Sequence, residues 1–532
     1  MKGREIDARE LRAWHLDGAE LAVLDAREEG EFGRAHLFWA VPCPLTEANW
    51  RVPRVLPRRG VRVALTDGGG GEAAKLAGAL AGLGYGDVST LQGGVEAWRA
   101  AGFALFGGVN VPSKAFGEWV EHEYAPESIE PLELKRWQEA GTAMAVLDVR
   151  TFEEFRRTNI PGAISVPGGE LVYRIGDLAP DPDTVVVVNC AGRTRSILGA
   201  ESLRQAGIPN RVVALRNGTM GWELAGFACE MGAARRYPGR TPATAVLARE
   251  RAEDFARRAG VVLIDRARLR ELRADAGRTL YLLDVRSPEE YRAGHVAGSL
   301  SAPGGQLVQA SDRWIAVRGA RLALIDDAGA RACMTGGWLR QMGQREVYVV
   351  EGALKERLET GPEPRDEAPE VPLVTVAELK VWLSERGTLL IDCARSTAYR
   401  AGHIPGAVWA VASRLEEEPG GALAEARRVV VTAADGWFAR HGAAAIGRTS
   451  ESAVRALDGG TAAWIEAGEA VVATPDDPPD GRCIDVHLRP YDRTLGVRDA
   501  MRAYLDWEVG LREQIAREGT VLFSRRGPRG QA

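Results

Sequence analysis

Short apolar runs that end in an aspartate recur four times along the chain. The runs LAVLD, MAVLD, LYLLD and TLLID end at Asp25, Asp148, Asp284 and Asp392. Continuous apolar runs of this length predict strands that are buried on both faces, as in a parallel sheet. The four aspartates are 123, 136 and 108 residues apart, so each repeat has the size of a small domain.

The second half of each repeat recurs as well. A second apolar run (VRVAL, TVVVV, LALI, RVVV) leads into a loop and an Ala- or Leu-rich segment, and a third run precedes LQGGVEAW, LRNGTMGW, VEGALKE or LDGGTAAW. Strands that alternate with helices at this spacing predict a central parallel sheet flanked by helices on both faces. We therefore expect an α/β protein with four tandem domains and a partly helical tail, at residues 1–108, 128–234, 260–360, 372–474 and 475–532.

The tail carries a helical pattern over roughly 490–525. Its apolar residues fall at helical spacing and predict one face that packs on a domain or on a partner. These residues are Val497, Met501, Tyr504, Leu505, Leu511 and Ile515.

Composition and charge narrow the possible functions. The 532 residues are 45% hydrophobic and 27% charged, as in an ordinary globular protein. There are 68 Lys and Arg against 73 Asp and Glu, with both signs interspersed, so no basic stripe predicts nucleic-acid or anionic-membrane binding. The opening MKGREIDARE is polar and no apolar run approaches a membrane span of ~18 residues. Because this sequence predicts neither an export signal nor a membrane span, the six scattered cysteines indicate free thiols in a reducing cytoplasm.

One loop, VVVVNCAGRTRS, stands apart from its three counterparts. Cys190 follows a predicted buried strand and precedes a predicted helix, so its thiol faces unpaired backbone N–H groups and the positive end of the helix dipole. Such a loop can cradle an anion. Arg193 and Arg195 add positive charge, and Ser196 can donate a hydrogen bond. Each feature favours the thiolate over the thiol, which is the nucleophilic form.

The equivalent loops of the other three repeats lack this chemistry. In the first repeat Asp67 lies at or next to the position of the cysteine, and in the fourth Ala433 or a neighbour does. In the third, DDAGARAC, we align Asp327 with the cysteine and Ala330 and Ala332 with the two arginines. An aspartate or alanine cannot carry sulfur, so we expect one reactive centre per chain.

These motifs resemble those of the rhodanese family. The motif LDVR…EEFRRTNIPGAI, the loop VNCAGRTRS and the trailing LRNGTMGW occur in the order that is typical of rhodanese domains, and all four repeats are similar to such domains. The resemblance implies a sulfurtransferase whose loop cysteine carries sulfur as a persulfide, commonly taken from thiosulfate. It also implies an inactive–active pair formed by the first two units, with the last two as a second pair.

The site assignments follow from the loop and the resemblance. Cys190 is the predicted catalytic residue. Asp148 is a predicted supporting residue, as are Arg150 and Glu154, which are four positions apart and which we expect to pair. Residues predicted to bind the anionic donor are Ala191, Gly192, Arg193, Thr194, Arg195, Ser196 and Arg174. No metal-binding motif occurs, and we expect neither a metal nor a cofactor.

Three functions remain open from the sequence. The first is transfer of sulfane sulfur from thiosulfate, through a Cys190 persulfide, to cyanide or a thiol. The second is a cysteine phosphatase or arsenate reductase, although relatives of that type have one more residue between the cysteine and the arginine than the four that separate Cys190 from Arg195. The third is a scaffold of inactive domains with Cys190 as a sulfur carrier or sensor. A homodimer or an acceptor protein is a conceivable partner.

Overall fold

The structure is a computed structural model, which describes residues 4–239, 241–355, 357–414, 423, 425–447 and 453–528. The first three residues of the predicted first domain and the last four of the predicted tail lie outside the described residues. Residues 415–422 and 448–452 of the predicted fourth domain also lie outside them. No helix within the described ranges is long and apolar enough to cross a membrane.

Each repeat forms one central sheet, and the four sheets share one strand order. In the second domain the order is Ser128–Ile129, Val212–Leu215, Val185–Asn189, Met144–Asp148 and Ile164–Ser165, with every neighbouring pair parallel. Successive side chains of one strand enter different cores: Val186 and Val188 pack on one face of the sheet, and Val187 packs on the other. The predicted fold class is confirmed, because helices flank each sheet.

The first two domains have the following elements. The first contains strands Arg4–Ile6, Leu21–Asp25, Ala40–Pro42, Arg62–Thr66 and Val88–Leu91 with helices Ala8–Leu16, Glu29–Phe32, Ala48–Val55, Glu72–Gly82 and Gly94–Ala100. The second adds to its five strands the helices Pro131–Glu139, Phe152–Arg157, Leu171–Leu178, Thr194–Gln205 and Gly218–Leu224. We call Thr194–Gln205 the loop helix.

The last two domains repeat this plan. The third contains strands Val262–Ile264, Leu280–Asp284, His295–Val296, Leu300–Ser301, Val317–Arg318, Arg321–Ile325, Glu346–Val350 and Leu358–Glu359 with helices Arg266–Ala274, Pro288–Ala293, Gly304–Gln309 and Ala330–Gln341. The fourth contains strands Leu373–Val374, Thr388–Asp392, Val408–Trp409, Arg428–Thr432 and Val454–Leu457 with helices Val376–Ser384, Ser396–Ala401, Gly436–Gly447 and Gly460–Glu466.

The resemblance implies an inactive–active order of the first two domains along the sequence, whereas the packing in space follows a different order. Domain two instead packs tightly on domain three, where a Cβ on Gly305 would lie 2.8 Å from the backbone nitrogen of Gly169. The Trp338 indole donates to the Ser202 hydroxyl across this interface at 2.8 Å. Helix Pro242–Ala259, between the two domains in sequence, packs on helices of both. Glycines allow this close backbone approach, which larger residues would prevent.

Domain one contacts both of the later domains. Strand Val317–Arg318 of domain three extends the sheet of domain one, antiparallel to Leu21–Asp25. The Ser413 hydroxyl of domain four donates to the Glu28 carboxylate of domain one at 2.6 Å. The four domains are thus joined in an order that differs from their order in sequence.

Two helices outside the domains meet beside domain two. Val111–Tyr124, which we call the linker helix, packs on the loop helix and on Val497–Glu518, which we call the tail helix. The apolar face predicted for the tail is confirmed: Met501 and Leu505 pack against Met220, and Leu511 packs against residues of the linker helix. The chain after domain four therefore returns to domain two.

Candidate active site around Cys190

The backbone of the Cys190 loop is held by the segment that follows the next strand. The backbone N–H of Thr219 donates to the Cys190 carbonyl at 2.8 Å, and that of Met220 donates to the Ala191 carbonyl at 2.9 Å. A Cβ on Gly218 would lie 2.2 Å from the Cys190 carbonyl oxygen, and Gly218 has a φ of +53°. Only glycine fits both requirements, so the recurring glycine of the LRNGTMGW motif fixes the position of the cysteine.

Asp148 and Arg150 form a buried pair beside Asn189, the residue before Cys190. Asp148 is fully buried and accepts hydrogen bonds from the Arg150 guanidinium at 2.7 Å and from the Asn189 amide at 3.1 Å. The expected pairing of Arg150 with Glu154 is wrong, because the arginine folds back onto the aspartate two residues earlier. Asp25 with Arg27 and Asp284 with Arg286 make the same pair in domains one and three, which have no loop cysteine, so this pair belongs to the scaffold.

Glu154 pairs with Arg195 of the loop. Two bonds of 2.7 and 2.8 Å join the guanidinium and the carboxylate. Thr151 and Glu154 form a capping box at the start of helix Phe152–Arg157, which fixes the carboxylate in place. Burial alone would raise the pKa of Glu154, but Arg195 outweighs it and lowers the pKa far below its usual value. Arg195 is thereby held as a permanent cation beside Cys190, because the Glu154 carboxylate outweighs burial and raises the pKa of Arg195 above its usual value.

Arg193 does not supply the free positive charge that the sequence suggests. Its guanidinium donates two bonds of 2.8 Å to Glu118 of the linker helix and also contacts Glu121. Two carboxylates therefore compensate one guanidinium. Arg193 joins the loop to the linker helix, and Arg195 is the loop arginine that acts on Cys190.

Ser196 lies beside Cys190, and its hydroxyl proton points to a backbone carbonyl. Its Oγ is 3.5 Å from Cys190 Sγ, and its hydroxyl donates to the Arg193 carbonyl at 2.8 Å. In this geometry the thiol is the donor to Ser196, whereas the sequence suggested the reverse. Deprotonation of Cys190 would leave the hydroxyl free to rotate toward the sulfur.

The parallel register corrects the alignment of the loops. Asp148 pairs with Asn189 and Asp284 pairs with Ile325, so Asp326, not Asp327, occupies the position of Cys190. Arg331 then occupies the position of Arg195, and the expectation that alanines replace both arginines is wrong. Arg331 bonds Glu290, the capping-box residue that corresponds to Glu154, at 2.7 Å. The predicted positions of Asp67 and Ala433 agree with the register.

Domains one and three fill their own anion cradles. The Asp326 carboxylate accepts from the backbone N–H groups of Asp327, Arg331 and Ala332 at 2.8, 2.9 and 3.3 Å. Asp67 accepts from three N–H groups of its loop in the same way. In domain two, by contrast, no side chain of the described residues accepts a hydrogen bond from the backbone of 191–195. That cradle is left for an external anion or for one carried on the cysteine.

A cavity of about 100 Å³ adjoins Cys190, which is only 2% exposed. One wall is domain two. The others come from the linker helix, from Gln309 of domain three and from the segment after domain four, a composition that the sequence did not predict. The lining residues from outside domain two include Asn110, Lys114, Gln309, His487, Arg489, Tyr491, Asp492, Tyr504 and Trp507.

A buried ion pair ties the tail helix to this site. Glu508, which is fully buried, accepts from the Thr194 hydroxyl at 2.8 Å and pairs with Lys114 of the linker helix at 3.1 Å. Lys114 also lies over the ring of Tyr504. The carboxylate of Glu508 outweighs burial and raises the pKa of Lys114 above its usual value.

Arg174 lies apart from the cavity. It pairs with Glu170 at 2.9 Å and its guanidinium stacks between the rings of Tyr173 and Tyr237. It is not among the residues that line the Cys190 cavity, so its predicted contact with the donor is not supported.

Sequence reasoning missed four residues of the site: Lys114, Arg489, Tyr504 and Glu508. One signal was available, because Tyr504 and Glu508 are four residues apart on the apolar face of the tail pattern. A charged residue on such a face predicts a buried partner. Nothing in the sequence identified the partner.

Comparisons with known proteins agree with this architecture. A family model described as "Rhodanese-like domain" matches residues 7–101, 130–225, 265–359 and 375–467. The chain is also similar to thiosulfate sulfurtransferase from Pseudomonas aeruginosa, whose crystal structure matches it with a TM-score of 0.91. The two sequences are 45% identical, and the match covers 98% of this chain and 99% of that chain. The predicted resemblance is confirmed.

Two curated proteins are similar to parts of the chain. The HTH-type transcriptional regulator Rv0324 of Mycobacterium tuberculosis is 36% identical over 108 residues, which are 20% of this chain and 46% of that protein. The putative sulfur carrier protein YrkF of Bacillus subtilis is 26% identical over 141 residues, 24% of this chain and 72% of that protein. The chain thus spans about half the length of the regulator.

Proposed function

The chain belongs to the rhodanese-like domain family, and on that premise we propose that it is a rhodanese-type sulfurtransferase with a single sulfur-transfer centre at Cys190. The observation that carries the proposal concerns the anion cradle at the equivalent loop of each domain. In domains one and three an aspartate carboxylate fills this cradle, whereas in domain two no side chain of the described residues accepts a hydrogen bond from its backbone. The likeness to a thiosulfate sulfurtransferase supports thiosulfate as the donor.

The reaction has two half-reactions. The Cys190 thiolate attacks the sulfane sulfur of thiosulfate, an S–S bond forms to the cysteine, and the bond to the sulfonate sulfur breaks, its electron pair leaving with sulfite. The Cys190 persulfide anion then gives its outer sulfur to cyanide or a thiol, and the thiolate is regenerated. This is nucleophilic catalysis by a cysteine thiolate, and neither step requires a cofactor.

The residues around the sulfur have distinct roles in this scheme. The backbone N–H groups of 191–195 and the start of the loop helix stabilise the negative charge on the persulfide or the donor. Arg195, held by Glu154, supplies the fixed positive charge. Asp148 and Arg150 are positioning residues: Asp148 holds both the Arg150 guanidinium and the Asn189 amide beside the cysteine.

A reducing cytoplasm suits this chemistry. The six cysteines are all free thiols, and Cys190 has no cysteine partner in the structure. We therefore propose the cytoplasm as the site of action, because glutathione and thioredoxin systems keep thiols reduced there.

Intact-mass measurement tests the proposal. Purified protein is incubated with thiosulfate without an acceptor, beside Cys190→Ser and, as a matched control, Cys229→Ser. We expect the wild type and Cys229→Ser to gain one sulfur atom, and we expect cyanide to remove it with release of thiocyanate. Cys190→Ser gains none.

The other outcomes separate the alternatives. A sulfur gain that cyanide and thiols cannot discharge would favour a sulfur carrier over an enzyme. The absence of any gain on a reactive Cys190, together with hydrolysis of an aryl phosphate or reduction of arsenate, would favour the phosphatase-like alternative and overturn the proposal.

A further inference from the structure

The segment after domain four closes the site of domain two. Resting on the proposed function, we propose that this segment, residues 487–508, makes the Cys190 site selective for compact substrates. Small anions and small nucleophiles enter, and a thiol carried on a peptide or a protein is excluded. Arg489 and Tyr504 provide the selectivity, and neither residue belongs to the Cys190 loop.

The size of the cavity supports this selectivity. Its volume is about 100 Å³. Pockets that hold drug-sized ligands have volumes of about 300–1,000 Å³. Thiosulfate and cyanide are compact ions, whereas a tripeptide thiol such as glutathione approaches the size of the ligands that those larger pockets hold. Cys190 is only 2% exposed, so a reagent reaches its sulfur through the cavity.

The first part of the wall is an extended segment fixed to domain two. Arg157 donates to the Asp492 carboxylate at 2.8 Å and to the Tyr491 carbonyl at 2.5 Å. Arg489 reaches the Glu154 carboxylate at 3.8 Å. These contacts place the segment directly over the turn that carries Glu154.

The second part of the wall is the tail helix, which is held by apolar packing and buried charge. Met501 and Leu505 pack against Met220, next to the loop. One turn later Glu508 bonds the Thr194 hydroxyl and Lys114. Separating a buried pair of this kind leaves an uncompensated charge, so opening of the helix is not a low-energy motion. Tyr504 lies between these two anchors and lines the cavity.

The charge of the wall selects a compact anion. Arg195 and Arg489 approach the two oxygens of the same carboxylate, Glu154, at 2.7 and 3.8 Å. One carboxylate compensates one of these cations, which leaves the charge of the other for a bound donor. Two oxygens of a sulfonate group can accept charge-assisted hydrogen bonds from one guanidinium, as phosphate oxygens do, so we assign Arg489 to the donor.

The same geometry restricts the acceptor. In the second half-reaction the nucleophile must reach the outer persulfide sulfur in line with the S–S bond. Cyanide forms a C–S bond, the S–S bond breaks, and the electron pair stays on Cys190. A small thiol reacts in the same way to form its own persulfide. A bulky thiol would have to displace Tyr504 to reach this trajectory.

Single-turnover discharge tests the inference. The protein is first loaded with thiosulfate and the gain of one sulfur is verified by mass; excess donor is then removed. Discharge is followed with cyanide, 2-mercaptoethanol and glutathione, with the two thiols compared at equal thiolate concentration. We expect 2-mercaptoethanol to react at least about tenfold faster than glutathione, because steric misfit in a closed pocket costs at least that factor.

Tyr504→Ala is the variant that opens the wall, and Val509→Ala, on the exposed side of the same helix, is its matched control. We expect Tyr504→Ala to raise the ratio of the glutathione rate to the 2-mercaptoethanol rate about tenfold, and Val509→Ala to leave the ratio unchanged. Should Tyr504→Ala fail to fold, Arg489→Ala, whose side chain is 46% exposed, trims the wall without touching the apolar core.

Failures of the two proposals are distinguishable. If the protein never gains sulfur, the proposed function fails. If the loaded wild type is discharged by glutathione as fast as by 2-mercaptoethanol, the selectivity is wrong although the sulfurtransferase stands. The same holds if a folded, loaded wall variant leaves the ratio of the two thiol rates unchanged.

Discussion

The loops of domains two and three share their framework and differ in what lies at its centre. Both have an arginine paired with a capping-box glutamate, as Arg195 with Glu154 and Arg331 with Glu290. The loop of domain two follows strand Val185–Asn189, and that of domain three follows the equivalent strand Arg321–Ile325. Domain three, however, fills its cradle with the Asp326 carboxylate, whereas domain two places Cys190 there.

This difference separates the scaffold from the chemistry. The arginine–glutamate pair is retained without a nucleophile, so its presence does not indicate an active domain. In domain three the Asp326 carboxylate accepts hydrogen bonds from the N–H groups of the loop. In domain two we assign the equivalent N–H groups to the persulfide. The comparison also shows that domain three keeps a stability role, because Arg331 additionally bonds Glu170 of domain two at 2.7 Å.

The largest expected effect comes from giving the loop of domain two the aspartate that domain three has at the position of the cysteine. Cys190→Asp should abolish sulfur loading and turnover, since a carboxylate carries no sulfur. The new carboxylate should fill the cradle and stabilise the fold by about 1 kcal/mol, as measured by urea unfolding. Cys190→Ser is the control, which loses activity equally but cannot fill the cradle. A Cys190→Asp protein less stable than Cys190→Ser would contradict this view of the cradle.

Removing one arginine at a time sharpens the comparison. Arg195→Gln should slow the first half-reaction about 10²- to 10³-fold, the usual loss on removal of a fixed charge at a reacting anion. Arg331→Gln is the matched variant in domain three. It should leave the half-reaction rate unchanged and yet cost about 3–5 kcal/mol, because it leaves buried carboxylates without their partner. Equal kinetic losses in both variants would overturn the division between scaffold and chemistry.

The Arg195–Glu154 pair also predicts a pH dependence. Arg195 lowers the pKa of Glu154 below its unfolded value, so the folded state binds fewer protons than the unfolded state in acid. The pair therefore contributes fully above about pH 4.5, and its contribution is lost as the pH falls below that value. Urea unfolding of wild type and Glu154→Gln at about pH 7 and pH 3.5 measures this, and we expect the gap between the two proteins to narrow at the lower pH.

The smallest expected effect concerns the tail. Thr194 corresponds to Ala330 in domain three, so Thr194→Ala removes the hydroxyl that ties the loop of domain two to Glu508. We expect a loss of about 1–2 kcal/mol in unfolding free energy and only a modest change in the cyanide rate. Thr194→Ala combined with Glu508→Gln should cost less than the sum of the single changes, because the two residues share one bond. Additive losses would argue against the bond.

The sequence predicted the parts of the molecule that arise from local patterns. Four copies of one unit, parallel sheets, a single cysteine loop and an apolar face on the tail all follow from runs of residues that are close in the chain. The position of Cys190 after a buried strand and before a helix is such a pattern. The loop alignment of domain three was wrong by one residue because periodicity does not define where a strand ends, whereas the pairing of Asp284 with Ile325 does.

Tertiary structure decided which residues meet. Arg193 and Arg195 are equivalent by local sequence, but Glu118 of the linker helix binds one and Glu154 binds the other. The pairing of domain two with domain three depends on two glycine pairs brought together over more than a hundred residues. The closure of the site depends on Arg489, Tyr504 and Glu508, about three hundred residues from Cys190. Contacts of that range leave no periodic trace in a single sequence, because they depend on how whole domains pack.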